Sequence, residues 1–148
     1  MIGEDRFDYA FRKYTETWAF KHPTPYDFFH CMNNATGEDL NWFWKQWFFT
    51  VWTLDQAINE VKYVDNDPAK GAYITIENKN KMIMPVILKI FLSDGQSEII
   101  RLPVEIWQRG AVWTLKYSSA ARIKQVLLDP DNIMPDVNRR NNVWNEWK

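Results

Sequence analysis

The sequence predicts an α+β chain, a short unit of three helices followed by an antiparallel β-sandwich. Two observations carry this. Up to about residue 58, apolar residues recur at the three- and four-residue spacing of a helix face. From Val61 onward they alternate, or fall in short β-branched runs between turn signals, as strands do. The expected division is a helical segment over 1–58 and a β-sandwich over 59–148.

The first helix is expected from Phe7, Ala10, Phe11, Tyr14 and Trp18, one face at helical spacing. It should end near Phe20 or Lys21, because Pro23 disfavours the α conformation at His22. Thr24-Pro25-Tyr26-Asp27 then starts a second helix, with a hydroxyl at the N-cap, proline at N1 and a carboxylate at N3. Phe28, Phe29 and Met32 supply its apolar contacts, and Asn33-Asn34 is the expected end.

The third helix is expected over Thr36–Trp52, a stretch of seventeen residues that holds four of the nine tryptophans. Thr36 is the expected N-cap, with Asp39 three residues on. Leu40, Phe43, Trp44, Trp47, Phe48 and Val51 form one apolar stripe. At about 100° per residue, Trp42 and Phe49 point away from that stripe, to a side where Lys45 and Gln46 suggest water. Burying a large aromatic is worth roughly 2–3 kcal/mol, so these two residues either find cover within the chain or mark a docking surface.

Strands are expected at about 61–66, 72–78, 84–92, 97–107, 111–117 and 123–129. Ser93-Asp94-Gly95-Gln96 reads as a hairpin turn, and Arg109-Gly110 as the turn of the next pair. Ile74 and Ile76 alternate with Thr75 and Glu77, as in a strand with one wet face. Pro85 and Pro103 belong at strand starts, edges or bulges. Six or seven short strands with frequent turns suggest a sandwich of immunoglobulin-like type. The tail from Asp129 is polar and rich in turns.

Composition narrows the function. With 46% hydrophobic and 25% charged residues the chain is globular, and 16% aromatics favour a packed core or a large interface over disorder. A net charge of −1 and the lack of a basic run argue against a nucleic-acid partner. No apolar run is long enough for a transmembrane helix, and the first residues carry no basic-then-apolar signal pattern. The chain enters helical periodicity almost at once, as expected of a piece of a larger protein. The lone Cys31 excludes an internal disulfide.

No catalytic, metal or cofactor set emerges. His22, His30 and Cys31 are too few and too poorly spaced for zinc, and H-E-x-x-H is absent. The five glycines are scattered, so there is no phosphate loop, and no G-x-S-x-G elbow exists. His30 and Cys31 are helix neighbours about 100° apart, a poor nucleophile pair. Asp129, Asp131, Asn132, Asp136 and Asn138 lack the glycine and terminal glutamate of a calcium loop, so Asx-turns around Pro130 and Pro135 are expected instead. Trp107 and Trp113 are expected in strands and in the core rather than as sugar-stacking platforms.

Residues 7–58 carry a resemblance. Ala10-Phe11-Arg12, Tyr14, Trp18 to Pro25, Asp27-Phe28-Phe29, Thr36-Gly37, Asp39-Leu40 and Trp42 to Trp47 follow one another here. This resembles a pattern in the last helices of the metallopeptidase domain of the gluzincin aminopeptidases, the membrane alanyl aminopeptidase family: A-F-R-x-Y…W-A-F-K-H-P-T-P-x-D-F-F…[ST]-G-x-D-L-x-W-F-W-x-Q-W. The remainder is similar, more loosely, to the β-sandwich that follows in several members, with Leu128-Asp129-Pro130 and Pro135 to Asn142 as its closing strand and tail. Trp52 departs from the pattern, standing where a small residue is expected.

The resemblance implies a zinc-dependent exopeptidase that removes N-terminal residues. Its zinc ligands, its G-x-M-E-N motif and its tyrosine all lie upstream of the matched helices, so no catalytic or metal residue carries over. The leading expectation is a non-catalytic C-terminal portion that braces the catalytic domain and helps shape the cleft for a peptide substrate. Zinc belongs only to the full-length protein, and the partner is the upstream catalytic domain. Trp42, Phe49 and Trp52 are the candidate docking residues, and self-association through uncovered aromatics is a further expectation. The alternative is a stand-alone β-sandwich module that binds a protein or glycan. The weakest is an enzyme of another type.

Overall fold

The computed structural model describes residues 2–146 and divides into two compact units, the first ending at Val51 and the second beginning at Trp52. The expected polar tail runs on to Trp147 and Lys148, which lie outside the described residues. Three α-helices and two antiparallel sheets make the described chain an α+β protein, as expected.

In the first unit α1 spans Glu4–Trp18, α2 Pro25–Thr36 and α3 Asn41–Phe48. Glu4 and Asp5 sit in the first turn of α1, where acids suit the positive end of the helix dipole. The start of α2 follows its sequence signature in full. The Thr24 side chain accepts the Asp27 amide and the Asp27 carboxylate accepts the Thr24 amide, closing a capping box with Pro25 at N1. Its end lies later than Asn33-Asn34. Gly37 takes the left-handed conformation at φ 69° and returns its N–H to the Asn33 carbonyl at 3.0 Å.

That ending corrects the expected third helix. Thr36 does not cap α3. It is the last residue of α2, and its hydroxyl donates to the Met32 carbonyl at 2.8 Å. α3 is eight residues long, and Phe49 is its C-cap rather than a residue of its interior.

The second unit holds β1 (Gln56–Tyr63), β2 (Ala72–Asn78), β3 (Val86–Leu92), β4 (Ser97–Leu102), β5 (Val112–Tyr117), β6 (Ile123–Leu128) and β7 (Val143–Asn145). They form a three-stranded sheet, β1-β2-β5, and a four-stranded sheet, β4-β3-β6-β7. Alternation decides what is buried. Ala72, Ile74 and Ile76 from one sheet join Val86, Leu88, Ile90, Ile123, Val126 and Leu128 from the other in a single core. Thr75 and Glu77 alternate with these on β2, as expected.

Four expectations change. The strand placed at 61–66 begins earlier, at Gln56, because residues 56–58 pair with Asn78, Glu77 and Ile76 of β2. The strand placed at 97–107 stops at Leu102, and Val104–Arg109 after Pro103 is a 3-10 helix. Arg109-Gly110 therefore does not turn a strand pair. The chain crosses there from β4 of one sheet to β5 of the other. Trp107 lies in that 3-10 helix, not in a strand, but it is buried and its Nε1 donates to the Met84 carbonyl at 2.8 Å. The hairpin at Ser93–Gln96 does join β3 to β4, with Gly95 at φ 89°.

Gly71 opens β2 at φ 86°, and a Cβ placed there would stand 2.4 Å from the Tyr117 carbonyl oxygen. Only glycine satisfies both conditions.

Candidate functional site

The first unit is built around Phe29, which is almost wholly buried. Trp44 stacks on it at 5.0 Å between ring centroids, and Phe48 meets it edge-on, also at 5.0 Å. The Trp44 Nε1 donates to Asn33 Oδ1 at 2.8 Å, and Asn33 Nδ2 donates to Asn41 Oδ1 at 3.1 Å. Aromatic packing thus joins α2 to α3, and one satisfied amide fixes the indole that both helices need. On α1, Ala10 is fully buried and Tyr14 meets Phe28 edge-on at 4.9 Å.

This core is too small to cover the aromatics that surround it. Phe7 (44% exposed), Trp47 (41%) and Phe48 (58%) keep much of their surface in water. With Ile2, Phe28 and Phe43 they line an apolar groove of about 590 Å³. Arg6 and Glu38 pair elsewhere on this unit, with both side chains about half exposed.

The candidate docking residues fall in different settings. Phe49 is 52% exposed and leans on Tyr26 and Phe29 at 5.8 and 5.9 Å. Trp42 is half-buried against Phe43, 5.8 Å away and nearly perpendicular. Trp52 belongs to the second unit and is 36% exposed. Gln46, expected in water, is buried. On the expected core stripe, Leu40 and Trp44 are buried, whereas Trp47, Phe48 and Val51 are exposed. Sequence reasoning therefore missed Trp47 and Phe48 as exposed groups. Both lie inside α3, so no local signal in the sequence marks their exposure.

A second, shallower groove of about 430 Å³ brings together the chemistry-bearing residues of this unit, among them Lys13, Asp27, His30 and Cys31. Two of them, Asp27 and Lys13, are engaged in local hydrogen bonds. Asp27 Oδ2 accepts the Thr24 hydroxyl at 2.7 Å and the Thr24 amide at 2.8 Å, which holds its carboxyl below the usual carboxylate range. Lys13 donates to Glu16 at 3.0 Å, and this hydrogen bond raises its ammonium above the ordinary lysine value. Neither is set up as a general acid or base near neutral pH.

In the second unit two acidic tail residues hold backbone amides. Buried Asp129 accepts the amides of Ile133 and Met134 at 3.0 and 2.9 Å and pairs with Arg139 at 3.1 Å. Asp136 accepts the amides of Gln56 at 3.0 Å and Asn138 at 2.8 Å, the latter closing an Asx-turn. Among the described residues no three His, Cys, Asp or Glu side chains converge in a group that could hold a metal ion. No helix among the described residues is long and apolar enough to cross a membrane. Compared with protein-family models and with curated proteins, the chain matches none.

Proposed function

We propose that these two units are the non-catalytic C-terminal portion of a zinc-dependent aminopeptidase, bracing its catalytic domain and helping to shape the substrate cleft. The observation that carries this reading is the uncovered aromatic face of the first unit. Phe7, Trp47, Phe48 and Phe49 are each two-fifths or more exposed on a unit of only three short helices. A protein that leaves such residues in water forgoes on the order of 1 kcal/mol for each half-buried ring, which a neighbouring domain recovers by covering them. The resemblance of residues 7–58 to the last helices of the gluzincin peptidase domain supports a catalytic domain of that kind as the neighbour.

The strand order supports the companion reading of an immunoglobulin-like sandwich. In chain order β1, β2 and β5 correspond to strands A, B and E of that fold, and β3, β6 and β7 to C, F and G, with β4 added beside C. Zinc enters only with the catalytic domain, and no step is assigned to it in this chain.

Two measurements test the proposal. Supplied with zinc and a panel of aminoacyl-anilides, this chain is expected to show no hydrolysis, and zinc-dependent turnover overturns the reading. The reading frame upstream of Met1 is expected to continue through H-E-x-x-H. A natural start at Met1 with no peptidase sequence before it favours the stand-alone binding module instead.

A further inference from the structure

We draw no further inference here: the strongest candidate, the apolar groove beside α1 and α3 lined by Phe7, Phe43, Trp47 and Phe48, belongs to the docking surface already proposed, and nothing in the structure shows which occupant covers it.

Discussion

The Tyr63 hydroxyl accepts the Ile123 amide at 3.0 Å and faces the Ile123 carbonyl at 3.3 Å, so one side chain from β1 takes both backbone groups of a residue in the other sheet. Among the described residues β7 pairs with Gln125–Leu127 of β6. The phenol acts as acceptor to the amide and donor to the carbonyl of Ile123, so both backbone groups are satisfied from the other sheet.

Removing that hydroxyl should therefore cost more than an ordinary surface hydrogen bond. Tyr63→Phe leaves the Ile123 amide and carbonyl unpaired beside the core, at a penalty of about 1–3 kcal/mol. The expected result is a thermal midpoint lower by about 4–8 °C for each kcal/mol lost. The slope of urea unfolding should not change, because the same surface is exposed. An unaltered midpoint in Tyr63→Phe refutes the bridging role.

A second link between the sheets makes the unit sensitive to alkali. Tyr117 on β5 donates to Glu98 of β4 at 3.0 Å. Burial, followed by this hydrogen bond and the charge of Glu98, pushes its phenol up to about 12. Burial likewise raises Tyr63. A phenol whose folded pKa lies above its unfolded value stabilises the fold fully below the unfolded pKa, near ~10 for tyrosine. That contribution is lost as pH rises from there to about 12. Urea midpoints measured across this window should fall steadily, and the fall should be shallower in Tyr117→Phe.

The acid-rich tail should behave as a clasp. Asp129 adopts φ 49°, a left-handed conformation uncommon outside glycine, and its carboxylate holds the Ile133 and Met134 amides. Asp129→Ala strips the buried Met134 amide of its partner, which alone costs about 1–3 kcal/mol. Hydrogen exchange should then accelerate at Ile133 and Met134. Arg139→Met leaves both of those bonds in place and should change exchange there much less. Equal effects from the two substitutions would shift the role from the carboxylate to the ion pair.

Gly71 and Gly95 separate two ways in which a glycine matters. Both have positive φ, 86° and 89°, but a Cβ at Gly71 meets the Tyr117 carbonyl oxygen at 2.4 Å, whereas one at Gly95 meets nothing within 4 Å. Gly95→Ala should cost only the conformational penalty, on the order of 1 kcal/mol. Gly71→Ala adds a backbone clash between β2 and β5 and should lower the unfolding midpoint considerably further.

What could be read from sequence alone follows the range of the interactions. The Thr24–Asp27 capping box, the Gly95 hairpin and the alternation of Ile74 and Ile76 are decided by residues a few positions apart, and each appears where the pattern places it. The third helix was misplaced because Thr36 had two local uses, capping α3 or bonding back to Met32, and the left-handed Gly37 selected the second. β7 has three residues and no periodicity to betray it, and it exists because Val143 and Trp144 pair with Leu127 and Val126. The exposure of Trp47 and Phe48 was equally hidden. The stripe they belong to identifies an apolar face but not whether three short helices have enough surface to cover it.

That uncovered face leads to a last prediction, that the chain associates with itself weakly. Phe7, Trp47, Phe48 and Phe49 are each roughly half exposed, so burying them in a contact recovers about 1 kcal/mol apiece. Four such gains barely offset the entropy lost on pairing, about 4–15 kcal/mol. With a net charge of only −1, however, little repulsion opposes contact between copies. Static light scattering should show an average mass that rises with concentration instead of a fixed dimer. Phe48→Ser should lower that rise, with a smaller loss of helical signal from its edge-on contact with Phe29, because Phe48 is 58% exposed. Trp44→Ala is the contrasting case: a buried, stacked and hydrogen-bonded indole whose loss should cost about 3–5 kcal/mol and melt the unit. A mass that stays monomeric at high concentration removes self-association from the account. It leaves the proposed domain contact to be tested by the upstream reading frame.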